Sequence, residues 1–262
     1  LAEGKKFGCY TTHFDSNYVL HPEFAVPELP HSIESDGDCR IWVDALPSLK
    51  QHMDFFFAKH PKPEREFQQL VAWENNRSGN ANSTEYFITD IEYADGKQGA
   101  LLDMLGLKWL SHDRKYGSRC TPVLLEMKYG IDSYDGGSGI VKHISDLREI
   151  VDNEATMSEL KRDIVGQFTR LYDLDLVRFN KSASVEKIEL VAKPEVILLL
   201  ANHNPRSRKL LNTLEKIGDV SGINLRFFVA SFAGYGMHDS CMMDLVQFRK
   251  LVSGYLEQIQ KP

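Results

Sequence analysis

The chain is poor in cysteine, and what it has is not arranged. Cys9, Cys39, Cys120 and Cys241 stand far apart with no CxxC. That excludes a zinc ribbon or a dense disulfide scaffold and points to a reducing, cytoplasmic compartment. No apolar run reaches the roughly 18 residues that a spanning helix needs, so no membrane partner is expected. No leader-like segment is visible, although the chain begins at Leu1 rather than Met. The nine histidines show no HExxH or HxH spacing, which excludes the common zinc-hydrolase signatures. Positive charge is not in excess either: 31 basic against 37 acidic residues leave a net charge of −6. A sequence-blind nucleic-acid coater is usually basic, so that class is disfavoured. An enzyme that gathers carboxylates around a metal is disfavoured less. Internal repeats and low-complexity tracts are absent as well.

What is present is an ordinary globular composition, 42% hydrophobic and 26% charged over 262 residues, enough for a well-buried core. Residues 1–60 read as an irregular extension with a short strand near Tyr18. Pro61 and Pro63 mark a boundary, and residues 61–262 read as the main domain. Phe67, Leu70, Val71 and Glu74 recur at helical spacing from Glu64 onward. Three strands are predicted next, over 85–93, 100–109 and 122–129, the first two joined at Asp95 and Gly96. Helices are expected around Ile140–Val151 and Met157–Leu171, from Arg208 to Ile217 and from Leu245 to Ile259, with buried strands at 196–200 and 225–229. This order predicts an α/β fold with a mixed central β-sheet flanked by helices on both faces.

One constellation carries chemistry. Glu126 and Lys128 are two residues apart on the third strand, so both project to one face while Leu125 and Met127 project to the other. A carboxylate and an ammonium are costly to place at the end of an apolar strand without a use. Asp103 is a single acid within the apolar second strand. If these strands are neighbours, Asp103 and Glu126 face each other, and a divalent cation between them relieves their repulsion. Hard oxygen ligands suit Mg²⁺ or Mn²⁺, and a lysine beside them suits phosphodiester hydrolysis.

Asp103, a 22-residue linker and then Glu126-Met-Lys128 at the end of an apolar strand resemble the PD-(D/E)XK motif of restriction-endonuclease-like nucleases. The preceding acidic helix and the following helix are similar to that family's core of helix, three strands, helix and strand, here with a C-terminal α/β elaboration. The resemblance spans about residues 64–200. It implies that Asp103 and Glu126 bind the metal with help from the Met127 carbonyl, and that Lys128 assists catalysis. It also implies a glutamate from the first helix. Glu64, Glu66 and Glu74 compete for that role, and Glu64-Arg-Glu-Phe resembles the helix start of Holliday-junction resolvases. Leu102 stands where the motif often has proline. The implied substrate is nucleic acid, DNA before RNA. The alternative is a nuclease-fold module that no longer cuts and serves nucleic-acid or protein binding. A homodimer stays open.

Other residues are weighed around this core. His143, one turn beyond Gly139, is a candidate phosphate contact or a solvent-facing histidine. Arg114, Lys115 and Arg119 on one loop, and Arg206 and Arg208 on another, are candidate backbone contacts or solvated loop charges. Asp90 and Glu92 are either extra acids of the metal site or solvated ends of a hairpin. Residues 136–139 are either a phosphate cradle or a flexible turn.

Overall fold

The computed structural model describes residues 8–12, 15–19, 29–30, 34–79, 81, 83–94, 101–115, 119–179, 188–191 and 193–259. The chain forms two compact units, Leu1–Lys62 and Pro63–Pro262. In the first, β1 (Gly8–Thr12) and β2 (Asp15–Val19) pair antiparallel as a hairpin. Helix α1 (Asp36–Lys59) follows. Residues 34–60, expected to be irregular, are therefore largely helical. The physical reasons lie at the start of the helix. Ser35 Oγ accepts the Asp38 N–H at 3.2 Å, and Asp36 and Asp38 sit in the first turn, where the helix dipole favours acids. Pro47 is tolerated inside it.

The second unit is built on one mixed six-stranded sheet. Its elements are α2 (Pro63–Asn76), β3 (Tyr86–Ala94), β4 (Leu101–Lys108), β5 (Arg119–Tyr129), α3 (Ile140–Asp152), α4 (Glu154–Asp173), β6 (Glu189–Leu190), β7 (Glu195–Ala201), α5 (Lys209–Glu215), β8 (Asn224–Val229), the short α6 (Ala230–Ala233) and α7 (Leu245–Ile259). The strand order is β3-β4-β5-β7-β8, with β6 beside β5. β3, β4 and β5 run antiparallel, while β5, β7 and β8 run parallel. The fold is thus α/β, with an open mixed sheet between helices, as its strand and helix order predicts. The turn expected at Asp95 and Gly96 lies outside the described residues. Among the described residues no helix is long and apolar enough to cross a membrane.

The sheet buries both faces. Leu124, Leu198, Leu200 and Phe227 pack with Ile144, Leu160, Ile164, Phe168 and Phe248 on the side of α3, α4 and α7. Leu125, Met127, Ile197, Leu199 and Phe228 pack with Val71 of α2 on the other. Strands buried on both faces read as continuous apolar runs, which is why 196–200 was legible. Helix α2 departs from its expected orientation. Its buried residues are Gln68, Val71, Asn75 and Asn76, and Leu70 is exposed. Asn75 and Asn76 turn inward because they hold backbone: Asn75 Nδ2 donates to Val71 O and Tyr235 O, both at 2.8 Å. Asn76 Nδ2 donates to Ile88 O at 2.6 Å, and its Oδ1 accepts Ile88 N–H at 2.9 Å, which docks the helix on the edge strand.

Candidate functional site

Two backbone features assemble the site. The β4–β5 ladder runs from Lys108↔Thr121 to Met104↔Leu125 and then stops, although β4 continues to pair with β3 as far as Ala94↔Leu101. The two strands therefore part at the next pair, Asp103 and Glu126. There the Asp103 side chain takes the place of a ladder bond, as Oδ2 accepts the Met127 N–H at 2.7 Å. In a strand, a residue's N–H and C=O face the same neighbour, so the Met127 carbonyl also addresses this gap. The second feature is the connection from β5 to α3. Gly130 and Gly136 have φ of +69° and +88°, conformations that other residues adopt only with strain. A Cβ on Gly139 would lie 2.7 Å from Tyr134 O. This tight path sets the start of α3 beside the end of β5.

The result is a buried charge cluster. Glu126 and Lys128 are 3% and 4% exposed. Lys128 Nζ donates to Glu126 Oε1 at 2.7 Å. His143 Nδ1 reaches the same oxygen from α3. Glu64, at the start of α2, lies within the field of Lys128, Glu126, Glu92 and His143. The electrostatics follow from burial and mutual repulsion. Burial, with the Glu126 charge beside it, pushes the Asp103 carboxyl up to about 8, against the opposing hydrogen bond from Met127 N–H. Burial also acts to raise Glu126, but the His143 and Lys128 contacts outweigh it, and this carboxyl is held below its usual range. Burial raises Glu64. The two acids are thus driven apart: burial and repulsion favour a protonated Asp103, while His143 and Lys128 favour an ionised Glu126.

The donor set fits a hard divalent cation: two carboxylates and a backbone carbonyl at one gap. Among the described residues no three His, Cys, Asp or Glu side chains are grouped so that they could hold a metal ion. Mg²⁺ does not need three, since it is commonly bound through one or two carboxylates and retains several waters.

The remaining expected residues divide by position. Glu66 is exposed on another face of α2. Glu74 stands ten residues beyond Glu64, about 15 Å along the helix axis, near Gly236. Glu64 is the helix glutamate brought to Glu126 and Lys128. Asp90 points elsewhere, accepting from Gln167 Nε2 at 2.7 Å on α4, while Glu92 is exposed near Glu64. Arg114 is not available to a phosphate. It is 4% exposed, donates to Trp109 O at 2.9 Å and to Thr84 O, and lies over the Phe87 ring at 4.8 Å. These carbonyl and aromatic partners, with the Phe179 ring at 6.0 Å, make it an internal brace. Arg119 is exposed at the start of β5, seven residues or about 23 Å from Glu126. The Lys115 side chain lies outside the described residues. Arg206 and Arg208 are exposed just beyond the end of β7, where Leu200 pairs with Lys128; they share the end of the sheet that holds the site. Gln68, buried one turn from Glu64, was not singled out by sequence. Its only signal was a polar side chain four residues from a candidate acid.

The chain matches no protein-family model, and comparison with curated proteins and with solved structures returns no match. The reading of function rests on the geometry.

Proposed function

We propose that this protein is a Mg²⁺- or Mn²⁺-dependent nuclease of the restriction-endonuclease-like, PD-(D/E)XK class, acting on DNA. The observation that carries the reading is the gap between β4 and β5, where Asp103, Glu126, the Met127 backbone and Lys128 meet. The order α2, three antiparallel strands, α3 and then parallel β7 agrees with the core that the motif resembles, with α4 inserted before β7 and the α5–α7 region as elaboration.

Asp103, Glu126 and the Met127 carbonyl would hold the cation, with Glu64 beside them. When bound, a cation polarises a phosphoryl oxygen and makes a water more acidic. The chain's own residues supply the rest. His143 and Lys128 keep Glu126 ionised and fixed in orientation. The Lys128 ammonium, fixed by burial, stabilises negative charge developing on the scissile phosphate at no cost in reorganisation. Arg206 and Arg208 contact the nucleic-acid backbone outside the site.

An inactive nuclease-fold module is the second reading, and the net charge of −6 with an internal Arg114 favours it. Both are separated by incubating the protein with linear, branched and single-stranded DNA and with plasmid, with and without Mg²⁺ or Mn²⁺. Metal-dependent cleavage is expected. No cleavage of any substrate sets the enzyme reading aside in favour of the module.

A further inference from the structure

Glu64, Gln68, Val71 and Asn75 follow one another along the sheet-facing side of α2. Val71 packs against Met104, Leu125 and Met127. Asn75 is satisfied by three backbone groups, the third being Met237 N–H at 2.7 Å. Gln68 is different. It is 0% exposed, and among the described residues neither its Nε2 nor its Oε1 has a hydrogen-bond partner. A buried amide in that condition carries its full desolvation penalty, whereas an apolar side chain of the same shape would not. The amide therefore works against stability unless it binds something.

Its position indicates what. Long helical side chains lean toward the helix N-terminus and cover the preceding turn, and the turn before Gln68 carries Glu64. Next to it, the Phe67 ring packs on the Tyr129 ring at 5.0 Å, so this part of α2 lies over the end of β5. We propose that Gln68 is a positioning residue of the cation site. Its carboxamide, which donates and accepts at once, hydrogen-bonds a water at the inner wall of the site and through it aims the Glu64 carboxylate at Asp103 and Glu126. The inference rests on the metal reading above. Partners at this remove typically alter metal affinity by about 10–100-fold.

The test is a Mn²⁺ titration of the full chain, followed by thermal melting, for the wild type and Gln68→Met. The substitution removes the unpaired amide and keeps its length. It is expected to raise the melting temperature without metal by about 2–4 °C and to move the Mn²⁺ midpoint at least tenfold higher. Gln68→Asn, which keeps the amide but draws it back, should weaken Mn²⁺ binding in the same direction and serves if the Met variant does not fold. A wild type that responds to Mn²⁺ while both variants respond at the same midpoint overturns the role of Gln68 alone. A wild type that shows no response overturns the metal reading, and this inference with it.

Discussion

Glu126 answers to three groups at once: Lys128 on its own strand, His143 on α3 and Asp103 across the gap. Lys128 and His143 hold it ionised, whereas Asp103 repels it and is itself driven toward the protonated form, so the two acids should separate in mutation. Asp103→Asn keeps an acceptor for Met127 N–H but removes the charge that a cation needs. Wild type at a Mn²⁺ concentration 100 times its Kd should gain about 2.7 kcal/mol of stability, and Asp103→Asn should gain almost none. Identical melting shifts for the two proteins would show that the cation binds elsewhere. Lys128→Ala leaves Glu126 paired with His143, so the fold and the Mn²⁺ shift should persist. Loss of one preorganised charge should still cut cleavage by on the order of 10²–10³. Equal cleavage rates for wild type and Lys128→Ala would remove Lys128 from the mechanism.

The strands and helices that position these residues were legible to different degrees, for physical reasons. β7, with all seven residues buried, declared itself as an apolar run, and Asp103 and Glu126 stood out because their neighbours are apolar. α2 misled because its inward face is polar; hydrophobic spacing placed Leu70 inside, where Gln68, Asn75 and Asn76 are. Arg114 looked like a surface cation because a loop sequence does not reveal that carbonyls and aromatic rings close over it. The β3 irregularity between Ile88 and Asp90 was equally silent, as was the burial of Asp90. Burial raises the Asp90 carboxyl, against hydrogen bonds from Gln167 and Ile91 N–H. The folded protein thus holds this proton more tightly than the unfolded chain. Stability contributed here falls as pH rises from the usual aspartate range through the raised folded value, and is flat above it. Asp90→Asn should abolish that fall and preserve stability at neutral pH, since a turned Gln167 can offer its Oε1, unpartnered among the described residues, to the new amide. Urea unfolding across pH would read it; a mutant that keeps the wild-type pH slope contradicts the assignment. On β4, a Cβ at Gly106 would meet Phe87 O at 2.4 Å. Gly106→Ala should cost about 1–3 kcal/mol by the same measurement, and an unchanged urea midpoint would show that the strands part freely there.

For the whole molecule, charge placement matters more than total charge. With a net −6, the DNA binding proposed above would have to draw on local cations, and the sheet separates these arginines by end. Arg206 and Arg208 lie at the end that holds Lys128, while Arg119 lies at the other. Each phosphate contact adds about 0.9 to the slope of log affinity against log salt. Arg206→Ala combined with Arg208→Ala should weaken DNA binding and flatten that slope by up to about 1.8, whereas Arg119→Ala should leave it unchanged. A slope that responds to Arg119 and not to the pair would place the DNA on the opposite end.

The hydrogen bond from Met127 N–H to Asp103 gives the molecule a built-in reporter. The proton belongs to the backbone, but its protection is set by one side chain rather than by a partner strand. Its solvent exchange should be slow in the wild type and faster in Asp103→Ala, while the amides of β7 keep their protection. Its resonance should move as the carboxylate changes occupancy. A single amide signal in the nuclear magnetic resonance spectrum would then follow the state of the cleft during a titration, with no substrate and no turnover required.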